Sequence, residues 1–161
     1  MPQPTERQIR DAIVALVQAA APDTRVYNRF RRPADGLISE FNLLNVDDEH
    51  KINVCFVRRV SFQEQVTSFD DPIAAIETYI LAFYRGIEDD IGNGTDSENW
   101  FQLLIEAVRA AFKDDANRHM GFDNSVSQGG MATESPFVDS DDFNWACHRF
   151  IGRLNVALEE C

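Results

Sequence analysis

Long apolar runs are missing from this chain of 161 residues. No window approaches the ~20 consecutive apolar residues that a membrane-spanning helix needs. The opening residues MPQPTERQ carry neither the basic region nor the apolar core of a secretory leader, so a cytoplasmic protein is expected. Basic residues are also scarce. Fifteen Lys and Arg against 27 Asp and Glu leave a formal net charge of −12. That balance argues against specific nucleic-acid binding, which needs a clustered basic surface to neutralise phosphates, and against docking on an anionic membrane. Cysteine is limited to Cys55, Cys147 and Cys161, an odd number with no CxxC pair, which fits free thiols in a reducing compartment better than a disulfide framework. The motifs GxSxG, GxGxxG, HExxH and the phosphate-binding P-loop are all absent. The expectation is therefore a protein that is not an enzyme, with no catalytic residue, no cofactor and no resident metal.

What is present is an ordinary globular composition, 44% hydrophobic and 26% charged, long enough for a single domain with its own core. Thr5 and Gln8 have the spacing of a capping box and precede Ile9, Ile13, Leu16 and Val17 on one helical face, a helix that Pro22 and Asp23 should stop. A short strand follows near Arg25–Tyr27, then a loop over 28–36 containing Pro33 and Gly36. Residues 37–46 and 51–62 flank the polar turn Asp47-Asp48-Glu49-His50 and read as a hairpin whose second strand reaches toward Thr67. Residues 73–78 fit either a helical turn or the lead into a strand over 79–85. Thr95 and Glu98 form a second capping pair before a helix with Trp100, Leu104, Val108 and Ala111 or Phe112 at helical spacing. Residues 121–142 hold three glycines, a proline and many Ser, Asn and Asp, and are expected to be a flexible loop or arm. A long alternating run over 143–159 closes the chain as a half-buried strand. The order implies an α+β domain, an antiparallel sheet with helices packed on one face.

Few residues suggest chemistry. Asp47, Asp48, Glu49 and His50 are dense in possible ligands, but consecutive turn residues point in different directions and are ordinarily solvated. Cys147 and His148 are adjacent on a strand, so their side chains leave opposite faces and cannot pair. Arg29, Arg31 and Arg32 concentrate positive charge in an acidic chain. They are candidates for a contact with carboxylates of a neighbouring subunit, as Asp139, Asp141 and Asp142 are for the acidic side. Both tryptophans, Trp100 and Trp145, are read as core anchors.

The N-terminal helix, the run YILAFYRGIEDD leading to WFQLLIEAVRAAF, and the closing WACHRFIGRLNVALEE together resemble the tail-terminator or tail-completion proteins of tailed bacteriophages. The likeness is one of element order and spacing over most of the chain, without invariant motifs. It implies a virion assembly protein that forms a ring, typically a hexamer, which caps the tail tube and joins it to the head connector. The implied partners are further copies of the chain, the tail tube protein and the head–tail connector protein. The implied location is the host cytoplasm during assembly, then the virion tail. The long polar arm is not something that pattern demands. A neighbouring neck component and a cytoplasmic protein-binding adaptor of the same fold stay open as alternatives. A small enzyme is the third class, which a deep pocket gathering His50, His148 or Cys147 with carboxylates would support.

Overall fold

The computed structural model describes residues 4–28, 53–65, 74–87, 95–140 and 147–159. Helix α1 (Glu6–Ala20) opens on the expected capping box. The Gln8 N–H donates to Thr5 Oγ1 at 3.2 Å, and the Thr5 N–H donates to Gln8 Oε1 at 2.8 Å. Ile9, Ile13 and Val17 form its buried stripe. Its end is tied by the Gln18 side-chain amide, which donates to the carbonyls of Ala21 at 3.2 Å and Thr24 at 2.7 Å. Strand β1 (Arg25–Tyr27) follows at once. Buried Thr24 donates to Asn53 Oδ1 at 2.9 Å, fastening this turn to the start of β2 (Asn53–Gln65).

Strand β3 (Ala74–Gly86) absorbs residues 74–78 into the sheet, which resolves the helix-or-strand ambiguity there in favour of the strand. Helix α2 (Thr95–Lys113) is followed by a single 3-10 turn, then β4 (Val126–Ser140) and β5 (Cys147–Glu159). The five strands run in the order β1-β2-β3-β5-β4. Four of them pair antiparallel, while β1 lies parallel to β2 with Arg25 opposite Val54, so the sheet is mixed. The chain forms a single compact α+β domain. The proposed hairpin partner over 37–46, its turn and nearly all of the 28–36 loop lie outside the described residues, as does Trp145.

Both helices pack on one face of the sheet. Ile9, Ile13 and Val17 of α1 and Phe101, Ile105, Val108 and Phe112 of α2 meet Val57, Tyr79, Leu81, Phe83, Phe150, Leu154 and Val156. The inward stripe of α2 is wider than the expected one. Phe101 and Ile105 join Leu104, Val108 and Phe112, and Trp100 is only half-buried at the margin, with the Arg85 guanidinium 3.9 Å over its ring. Helices that face a sheet bury about three positions in seven, so a neighbouring row enters the core. Thr95 is itself the first helical residue, and Glu98 accepts a bond from the Gln102 amide at 3.3 Å, one turn on.

The arm expected over 121–142 is a correction, because residues 126–140 are the edge strand β4. Only a few of its side chains enter the core, chiefly Val126, Gln128 and Met131, so a polar and Gly-rich sequence suffices. Register shifts fall between Gln128 and Met131, Thr133 and Ser135, and Ser135 and Val138. Gly130, at φ +99°, supplies the left-handed backbone that the first of these bulges requires. Gly152 on β5 is needed for space. A Cβ there would lie 2.5 Å from Met131 Sδ, so its absence lets Met131 lie across the strand.

Candidate functional site

Two polar clusters are embedded in this frame. The first joins α2, β5 and β4. His148 near the start of β5 places Nε2 2.9 Å from Ser97 Oγ in the first turn of α2, and Nδ1 3.1 Å from Asp139 Oδ1 near the end of β4. Phe101 stacks on the imidazole with centroids 6.0 Å apart, and Phe137 packs edge-on against Phe101. A hydroxyl, an imidazole and a carboxylate in this order and at these distances have the form of a proton relay. Access is what it lacks. Ser97 is 2% exposed and His148 6% exposed, so no substrate carbonyl reaches the hydroxyl in this conformation. The cluster fastens the start of α2 to two strands.

The second cluster lies beneath the first turn of α1. Glu77 on β3 is buried on the helix-covered face and accepts a 2.5 Å hydrogen bond from the Tyr79 hydroxyl, with Arg59 Nη1 3.7 Å from the same carboxylate oxygen. Burial raises the Tyr79 phenol well above its ordinary range. The hydrogen bond to Glu77 and the carboxylate charges of Glu77 and Glu6 push the same way. Tyr79 therefore remains a donor, which is what a buried carboxylate needs. The positive end of α1 favours the same negative charge.

An open cleft of about 510 Å³ lies toward the other end of β5, lined among others by Lys113, Asp114, Arg118, Ser127, Gln128 and Asn155. Much of its lining is already committed to structure. The buried Gln128 amide donates to the Phe112 carbonyl at 2.6 Å, and Asp114 caps the 3-10 turn through the Ala116 N–H.

Of the residues singled out from sequence, Asp139 and His148 are brought together. Cys147 points to the opposite sheet face from His148, as strand alternation requires, into a cluster with Val54, Phe56, Ala82 and Tyr84. Cys55 faces the helices, and burial raises its thiol pKa. Arg29, Arg31, Arg32, Asp141 and Asp142 lie outside the described residues, as do Cys161 and the 47–50 turn. Sequence reasoning missed Ser97, Glu77 and Tyr79. Glu77 carried a faint signal as a charged residue on the inward parity of an apolar strand, whereas Ser97 carried none. Among the described residues no group of three or more His, Cys, Asp or Glu side chains is arranged to hold a metal. None of the described helices is long and apolar enough to cross a membrane. The chain matches no protein-family model, and no curated protein is significantly similar to it.

Proposed function

We propose that this protein is a non-enzymatic assembly component of a bacteriophage tail, forming a ring that ends the tail tube and meets the head connector. The observation that carries the reading is the order and layering of the elements. A capped N-terminal helix, a long apolar strand leading to a second helix on the same sheet face, and a closing strand are the features on which the resemblance rests. The use of the polar groups supports it. Ser97, His148 and Asp139, and likewise Glu77, Tyr79 and Arg59, join secondary-structure elements to one another. A protein that works through its surface needs such a rigid frame. Arg29, Arg31 and Arg32 and the acidic residues Asp139, Asp141 and Asp142 are the proposed contact residues. A ring of identical subunits joins two different patches of each, and these two groups have opposite charge.

Native mass spectrometry over a concentration series tests this directly. The expected result is a discrete closed species, six subunits above all, which disappears when Arg29, Arg31 and Arg32 are changed to Glu while the melting temperature is kept. A chain that stays monomeric throughout the series overturns the self-assembling ring.

A further inference from the structure

The sheet has a second face, turned away from the helices, and its charge is opposite to that of the whole chain. Register and burial place Arg25, Arg58, Arg149 and Arg153 on it, against Glu134 and Glu159 among the described residues. One row across the strands is especially regular. Arg58 on β2 is opposite Ile80 on β3, and Ile80 is opposite Arg153 on β5. Arg58 and Arg153 are exposed and Ile80 is partly so. Arg153 is paired with Glu134, its Nη1 3.3 Å from the carboxylate. Adjacent strands are ~4.8 Å apart, so this row presents an apolar centre with a guanidinium on each side.

The outward side of α2 is complementary. Leu103 is 65% exposed, more than any other large apolar residue described, and Glu106 follows it three positions later. Residues three apart on a helix have Cβ atoms ~5–6 Å apart, close to the spacing of Ile80 and either arginine in the row. Ala107 and Ala110 beside them are small and exposed, which permits close approach. Edge-to-edge pairing is a poorer route to assembly here. The β4 edge is interrupted by three register shifts, and Pro136 has no N–H to donate.

We infer that the Arg58–Ile80–Arg153 row of one subunit docks on the Leu103–Glu106 side of α2 in a second copy of this chain. This rests on the ring reading and gives it a specific contact. Leu103 covers Ile80, and the Glu106 carboxylate reaches the guanidinium of one flanking arginine, whose fork matches it. The two patches differ, so the contact is head-to-tail and leaves one of each unsatisfied until a ring closes.

Two variants test the contact, one carrying Arg58→Glu with Arg153→Glu and the other Leu103→Asp with Glu106→Gln. All four side chains are exposed, and thermal unfolding checks that each variant folds. If the pair at Arg153 proves structural, Arg58→Glu alone replaces the first variant. In native mass spectrometry each variant alone should be monomeric. An equimolar mixture should give a one-to-one dimer and nothing larger, because each partner retains one intact patch. If the wild-type chain assembles and both variants assemble equally well, the contact lies elsewhere and the ring reading survives without it. A mixture that stays monomeric shows that the two patches do not meet. A wild-type chain that never assembles overturns both.

Discussion

Glu77 shows how a single residue binds this fold and what it demands of its neighbours. A carboxylate on the inward parity of β3 would be costly to bury alone, and it is tolerated because Tyr79 donates to it and Arg59 lies close by. Tyr79→Phe should therefore cost about 1–3 kcal/mol at neutral pH, measured by urea unfolding. The pH dependence has a definite sign. The folded-state phenol is raised above its ordinary value, so its contribution is fully present below about pH 10, where folded and unfolded phenols are both protonated. Above that pH the unfolded chain loses the proton first. The contribution then falls by as much as ~1.4 kcal/mol per pH unit until the folded phenol also ionises. The stability gap between wild type and Tyr79→Phe should thus narrow above pH 10. A gap constant up to pH 11 would show that Tyr79 is not held in this way.

At the level of elements, α2 shows why burial and not bulk decides what matters. Phe101 is fully buried between the sheet and Phe137, whereas Trp100 lies half-exposed under Arg85. Phe101→Ala should cost about 3–5 kcal/mol. Trp100→Ala should cost clearly less, because it loses a partly solvated stacking contact and leaves no closed cavity. Equal losses in thermal or denaturant unfolding would mean that the helix is rotated from the orientation described. The far end of α2 depends on distant residues. The Ala111 carbonyl receives the Asn117 amide at 2.8 Å and the Phe112 carbonyl receives the Gln128 amide at 2.6 Å, so β4 helps to end a helix that begins more than thirty residues earlier. The α1 cap, by contrast, was legible from Thr5 and Gln8 because both partners lie within one turn.

For the whole molecule, the distribution of charge matters more than the total. A net charge of −12 keeps copies apart at long range, yet the exposed part of the second sheet face is arginine-rich and the outward side of α2 presents Leu103 beside Glu106. Assembly built from such exposed ion pairs around one apolar contact should respond to salt in two ways. Modest ionic strength relieves the overall repulsion. High salt, where the screening length falls to about 3 Å at 1 M, weakens the pairs themselves. Sedimentation velocity should therefore show assembly rising and then falling between low salt and 1 M. Assembly that only strengthens with salt would point to a purely apolar interface.

What the sequence by itself determined were features whose causes are local. These were the capped first helix, the strand at Arg25–Tyr27, the apolar strand before α2, the closing strand with Cys147 and His148 on opposite faces, and the α+β class. Each depends on periodicity or on partners a few residues apart. The tertiary structure alone decided the rest. It set β1 parallel to β2 and inserted β5 between β3 and β4. It also made an edge strand of residues 126–140, whose weakly apolar sequence is held by its pairing with β5. It brought Ser97 and Asp139 within hydrogen-bond distance of the two ring nitrogens of His148. The physical reason is the same throughout: hydrogen bonds between strands and contacts across the core join residues far apart in the chain, and periodicity carries no record of which distant partner a strand or side chain will meet.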